Sequence, residues 1–200
     1  MPRISAQRQQ DRYNAILDAG QQVLTTRGYA GASIAAIARE AGISEGLLYR
    51  YFANKRDLLM AVLGVFYERV IDDLEALLVQ EPGFRARIVA IVHAHIHLFA
   101  SDREMCRLFL TEVRVAADYR ETAIFRLNQR YTSIVLLVAA DGMAEGAVRP
   151  DLDPRLLRDM LFGGIEHFAW RYLQQPAQVD LDAGAAQVAC MLLDGIGSVA

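Results

Sequence analysis

Apolar positions recur at helical spacing along the whole chain. Tyr13, Ile16, Leu17, Gly20 and Leu24 follow the i, i+3, i+4, i+7, i+11 rule, which predicts a first long helix with one buried stripe, ended by Gly28. Ser33 is placed to cap a short second helix whose Ile34, Ile37, Ala38 and Ala41 share a face, and Gly42 to stop it. Ser44 opens a third short helix almost at once. A long apolar helix is predicted from Lys55 to Gln80, broken by Glu81-Pro82-Gly83, with further helices over 84–100, 103–116 and 119–145. Asp153-Pro154 supplies an N-cap and a first-turn proline for a helix to Gln174, Pro176 closes it, and a last helix is predicted over 180–197. No strand-like alternation, internal repeat or low-complexity tract interrupts this pattern. The expected fold class is all-α, with nine or so helices.

The first three helices have the spacing of a helix-turn-helix: a helix, a short glycine-containing turn, and a second helix able to project into a DNA major groove. Ile34, Ile37, Ile43, Leu48 and Phe52 are expected to form a small core gripping the third helix, so that Glu45, Gly46, Leu47 and Tyr49 face outward. Two domains are expected: a DNA-binding domain over 1–54 and a larger helical domain over 55–200.

Charge sharpens this picture only slightly. The chain of 200 residues has a formal net charge of −3, yet residues 1–60 hold eight Lys and Arg against five Asp and Glu, while the remainder hold thirteen against nineteen. The basic surface, where an anionic partner could bind, lies in the first third. Two distant cysteines, Cys106 and Cys190, form neither a disulfide framework nor a zinc module. The first ten residues lack the apolar core of a signal peptide and no apolar run reaches membrane-spanning length, so a cytoplasmic location without membrane association is expected.

The run from Gly28 to Leu59 contains glycine-aromatic (Gly28-Tyr29), an Ile-Ala pair, Gly42-Ile43-Ser44, Leu48-Tyr49-Arg50-Tyr51-Phe52, and Lys55 opening the next helix. With these features it resembles the DNA-binding signature of the TetR family of transcriptional regulators, over about 9–69. The resemblance implies a homodimer bound to a pseudo-palindromic double-stranded operator. The candidate DNA-binding residues are Ser33, Ser44, Glu45, Gly46, Leu47, Tyr49, Arg50, Tyr51 and Lys55. Gly46 removes bulk beside base edges, Leu47 can touch a thymine methyl, and Glu45 can accept from a cytosine amino group. Tyr49, Arg50 and Tyr51 carry donors suited to phosphate. Lys55, the only lysine in the chain, matches a family phosphate contact at a helix N-terminus.

A dimer surface is expected on the last two helices, from Leu157, Leu161, Gly164, Phe168 and Tyr172 on one and Gly184, Val188, Met191 and Gly195 on the other; packing within one chain is the competing explanation of these stripes. An apolar effector is expected in the middle of the chain, with His93, His97, Arg107, Phe109, Arg114 and Trp170 as candidate contacts. The stretch 102–170, including Phe162-Gly163-Gly164-Ile165-Glu166, is similar to the fatty-acid-degradation regulators of the same family, which implies an acyl-CoA effector. Arg103, Arg107 and Arg114 share a helical face and could meet an acidic head group, or could pair with Glu104, Glu112 and Glu121.

His93 and His97 share a face at i, i+4, but a metal site needs a third ligand, and nothing in the sequence brings Glu166 or His167 near. No metal or cofactor is therefore expected, with metal sensing kept as an alternative. The chain has no HExxH, GxSxG, GxGxxG or GxxxxGK[ST] motif, so it is not read as an enzyme. A helical adaptor binding another protein is the remaining alternative, and it would lack the steep salt dependence that phosphate contacts impose.

Overall fold

Gly42 turns the chain between the second and third helices through a left-handed backbone. A computed structural model describes residues 6–196, and the predicted end of the last helix at Gly197 lies outside them. Helix α1 spans Ala6–Gly31, α2 Ile34–Glu40 and α3 Glu45–Leu48. Gly42 has φ 66°, while its N–H donates to the Arg39 carbonyl and that of Ile43 to the Ala38 carbonyl. This pairing satisfies carbonyls left over at the end of α2 and needs the left-handed backbone that glycine adopts without strain. Ser33 and Ser44 cap as expected, their hydroxyl oxygens accepting from the N–H groups of Ala36 (3.1 Å) and Leu47 (3.3 Å). Gly28 breaks α1 internally at φ 67°, ψ 170°, and one further turn continues to Gly31.

Helix α4 covers Lys55–Gln80, α5 Gly83–Ser101, α6 Arg103–Leu108, α7 Ala123–Ala144, α8 Pro154–Gln174 and α9 Leu181–Ile196. The boundary expected at 54/55 is a junction between helices and not a break between compact units. One unit comprises the chain up to Tyr67 with Arg107–Phe125, and the other Glu68–Cys106 with Arg126 onward. The reason is packing: the start of α4 lies against α1, so closely that a Cβ on Gly20 would sit 2.6 Å from a Leu58 methyl.

Within the first unit, Ile16, Leu17, Leu24, Ile37, Leu48, Phe52, Leu58 and Leu63 are buried, and Tyr13 stacks on Phe52 at 5.6 Å between ring centroids. Ile34, Ala41 and Ile43, expected inside, are half-buried. The helix predicted over 103–116 changes character midway. After Leu108 it widens into a π turn, Phe109–Val113, in which the Arg114 N–H donates to the Phe109 carbonyl at 2.9 Å. The segment predicted as one helix from 119 divides into a 3-10 turn, Tyr119–Glu121, and α7, because Thr122 adopts extended backbone and its hydroxyl oxygen accepts from the Phe125 N–H to cap α7.

Within the second unit, α5 packs against α8 and α9. Close approaches occur at glycines: a Cβ on Gly142 would meet the Phe84 ring and Val148, and one on Gly184 would meet the Phe168 ring. His95 of α5 lies among Phe99, Tyr131 and Phe162, with ring centroids 4.8 to 5.5 Å away, and its Nδ1 hydrogen-bonds the Tyr131 hydroxyl at 3.1 Å. Burial pushes the His95 pKa down to about 3 and raises that of the Tyr131 phenol. Cys106 is buried, its thiol raised to about 12 chiefly by burial, while Cys190 is exposed; neither is in a disulfide.

The neutral His95 makes stability pH-dependent. Its folded pKa lies below the ordinary value of 6.5, so the unfolded chain binds the proton first as the pH falls. The contribution is complete above about pH 6.5 and declines toward about pH 3, by up to about 1.4 kcal/mol per pH unit. Denaturant melts of the wild type against His95→Gln between neutral and mildly acidic pH should show a shallower pH slope in the variant.

Candidate nucleic-acid interface

The outward face of α3 is set by two anchors on its inner side. Leu48 is fully buried and Phe52 nearly so, whereas Glu45, Gly46, Tyr49 and Arg50 are exposed and Leu47 is half-buried. Only Glu45–Leu48 is regular helix. Hydrogen-bonded turns from the Arg50, Tyr51 and Phe52 N–H groups to Leu47 and Leu48 extend it to Phe52. Tyr49 is 52% exposed, enough for its hydroxyl to meet a partner molecule. Tyr51 is half-buried, its ring 6.3 Å from that of Tyr13, so it divides its surface between solvent and the small core.

An open groove of about 480 Å³ runs beside α3, lined by Ser33, Ile34 and Ala35 of the α2 start, Glu45 and Tyr49 of α3, and Asn54 and Lys55. Of the predicted DNA-contact residues, Ser33, Glu45, Tyr49 and Lys55 therefore share one concave surface. Ser33 and Ser44 accept through their oxygens in capping, which leaves each hydroxyl hydrogen as a donor to an outside acceptor.

Lys55 departs from the expectation of a free phosphate contact. Its ammonium group turns inward, donating to the carbonyls of Tyr29 (2.6 Å) and Ala32 (2.9 Å) and lying 4.3 Å from the centroid of the Tyr29 ring. Carbonyls left without helical partners at the end of α1 attract it. Asn54, absent from the expected set, does the capping: its side-chain oxygen accepts from the Asp57 N–H at 2.9 Å while its amide donates to the Asp57 carboxylate at 3.1 Å. The Asn54-x-x-Asp57 spacing carried that signal. Arg56 pairs with Asp118 at 2.6 Å, tying the start of α4 to the segment after the π turn in the same unit.

The candidate effector contacts do not gather in one unit. Phe109, Arg107 and Arg114 belong to the first, where Phe109 is buried edge-on to Tyr67 and both arginines are exposed. His93, His97 and Trp170 belong to the second and are half-buried. The arginine stripe is also broken, because the π turn inserts an extra residue between Arg107 and Arg114 and rotates the residues beyond it by roughly 100°. Arg103 donates to the Leu173 carbonyl, and Arg130 pairs with Glu68 and Glu75.

The dimer stripes need correction as well. Leu157 and Leu161 are buried within the chain, and Gly184 receives the Phe168 ring of the same chain, so these positions pack internally. Tyr172 and Val188 are half-buried. Gly164, Met191 and Gly195 are exposed, and Leu156 and Met160, missed in the sequence, extend the apolar surface of α8. A helix with two apolar sides gives a stripe whose inner and outer halves its period does not separate. Among the described residues no helix is long and apolar enough to cross a membrane.

Similarity to known proteins covers both parts of the chain. Residues 16–62 match the family described as bacterial regulatory proteins, tetR family, and residues 63–195 match the YsiA-like protein C-terminal region. A fatty acid metabolism regulator protein of Bacillus subtilis (strain 168) is 27% identical over 189 residues, spanning 92% of this chain and 95% of its own length. The crystal structure of the transcriptional regulator FadR from Bacillus subtilis in complex with stearoyl-CoA aligns with a TM-score of 0.81 at 26% identity, over 92% of this chain and 99% of that one. A regulator from Saccharomonospora viridis in complex with choline shares the fold at a TM-score of 0.80 and 20% identity, over 96% and 100% of the two chains. The two family matches together run from residue 16 to residue 195, and the relatives they agree with are regulators: the chain belongs to the TetR family of bacterial transcriptional regulators and is not an enzyme.

Proposed function

We propose that the protein is a homodimeric cytoplasmic repressor that places two copies of α3 in successive major-groove turns of a pseudo-palindromic operator, and leaves it when a long-chain acyl-CoA occupies the C-terminal helical region. The observation that carries this reading is the outward face of α3, with Glu45, Gly46 and Tyr49 exposed over the anchors Leu48 and Phe52. Glu45, Gly46 and Leu47 meet base edges. Ser33, Ser44, Tyr49, Arg50 and Tyr51 donate to phosphates and fix register. Lys55 acts from behind, holding the α1–α2 corner against α4, and adds its charge at short range.

Dimerisation draws support from the exposed apolar surface of Leu156, Met160 and Met191 beside Gly164 and Gly195, where the absence of side chains lets helices approach. The acyl-CoA reading draws support from the Bacillus subtilis relatives, a fatty acid metabolism regulator and a regulator crystallised with stearoyl-CoA. Release requires that the effector bind better to a conformation whose recognition helices are wrongly spaced, since equal affinity for both states shifts nothing.

Tyr49→Ala should lose about 1–2 kcal/mol of operator affinity, roughly tenfold, with an unchanged thermal midpoint. Lys55→Ala should lose both affinity and thermal stability, because two carbonyls lose their donor. Fluorescence anisotropy on labelled operator and circular-dichroism melts separate the two effects, and normal operator binding by both variants would remove the assignment.

Selection of bound sequences from random DNA should return a palindrome from the wild type. Glu45→Gln should return one altered at a single position in each half-site, because an acceptor has become a mixed donor and acceptor. Identical half-sites would mean that Glu45 reads no base.

Acyl-CoAs of increasing chain length, titrated into the protein–operator complex, should release DNA with potency rising by up to about 0.8 kcal/mol per buried methylene until added methylenes gain no further burial. If no chain length releases DNA, the acyl-CoA assignment fails and the DNA-binding assignment stands.

A further inference from the structure

His93 and His97 lie one helical turn apart on α5, with ring centroids 5.9 Å apart and planes within 12° of parallel. The third member comes from a distant part of the chain. Asp182 occupies the first turn of α9, which packs against α5, and its carboxylate lies 2.9 Å from His97 Nε2. Asp180 already caps α9, its carboxylate accepting from the Ala183 N–H at 2.9 Å, so Asp182 is not needed for that task and turns to α5. One donor atom from each of the three side chains lies within 4.8 Å of the others, the only such grouping of three His, Cys, Asp or Glu among the described residues.

We propose that His93, His97 and Asp182 bind one divalent transition-metal ion of the zinc, cobalt or nickel class at the junction of α5 and α9. Two imidazole nitrogens and one carboxylate oxygen are the donor set of an open tetrahedral site, with the fourth position left to water or an anionic oxygen. Donors around such an ion stand about 3.4 Å apart, given bond lengths of about 2.0–2.1 Å. The observed separations, from 2.9 Å to at most 4.8 Å, bracket that value and need only small side-chain rotations. The i, i+4 spacing sets the two imidazole rings side by side on α5, and Asp182 closes the donor set from a distant element. A shared cation draws both rings and the carboxylate to one point, and it joins α5 to α9 across a long stretch of sequence.

The test uses the full-length protein without an affinity tag, stripped with chelator and titrated separately with zinc and cobalt(II) salts by calorimetry and visible absorption. One ion per chain is expected, with a cobalt spectrum of the tetrahedral type. Asp182→Asn, an exposed and nearly isosteric change, and His97→Ala should each weaken binding at least about tenfold. His167→Ala, an exposed histidine on α8, should leave it unchanged. Zinc should raise the thermal midpoint of the wild type and not that of the His93→Ala/His97→Ala double variant. Absence of stoichiometric binding, or binding that persists in the folded double variant, overturns the proposal. Neither result bears on DNA recognition, which operator binding by the metal-stripped protein measures separately.

Discussion

The ammonium group of Lys55 joins three stretches of chain that share no helix. It stands at the start of α4, takes a carbonyl from the last turn of α1 at Tyr29, and takes another at Ala32 just before α2 begins. Helix ends leave carbonyls without partners, and a half-buried cation needs acceptors, so each defect satisfies the other. The geometry of α2 and α3 follows from this junction. With the α1–α2 corner fixed to α4, the Gly42 turn can send α3 in only one direction if Leu48 and Phe52 are to reach the core. An exposed helix of a single turn has no stability of its own, so its angle is the property of its surroundings.

What could be read in advance depended on how far apart the interacting residues lie in sequence. The Ser33, Ser44 and Asp153-Pro154 caps and the Gly42 turn are settled by chemistry within four or five residues, and each occurs where its residues place it. The family resemblance and the exposure of Glu45, Gly46 and Tyr49 rest on the same short-range rules. Features needing a distant partner were hidden. Nothing in the vicinity of Lys55 indicates that it points at Tyr29, and nothing beside His93 and His97 indicates Asp182. The dimer stripes were misassigned in part for a related reason: α8 is apolar on an inner side at Leu157 and Leu161 and on an outer side at Leu156 and Met160. Periodicity locates apolar residues on a helix without saying which neighbour covers them.

Helix α5 shows how two residues of register divide one side-chain type between two environments. His95 faces Phe99, Tyr131 and Phe162, stays neutral, and uses one nitrogen for the Tyr131 hydroxyl. His93 and His97 face the start of α9 and retain contact with water. A row of three alternating histidines therefore contains a hydrogen bond among aromatic rings on one side and a pair of nitrogen donors beside Asp182 on the other.

The wide turn at Phe109–Val113 begins just after the chain passes from one compact unit into the other between Cys106 and Arg107. Such a turn holds one residue more than a regular helix needs, and its hydrogen bonds reach over five residues where four would suffice. Closing it would feed that surplus residue into the following segment and twist Asp118 relative to Arg56, its partner at the foot of α4. Slack of this kind is stored length, and it is held between two contacts with one helix: Phe109 lies edge-on to Tyr67 of α4 on one side of it, and Asp118 pairs with Arg56 of α4 on the other.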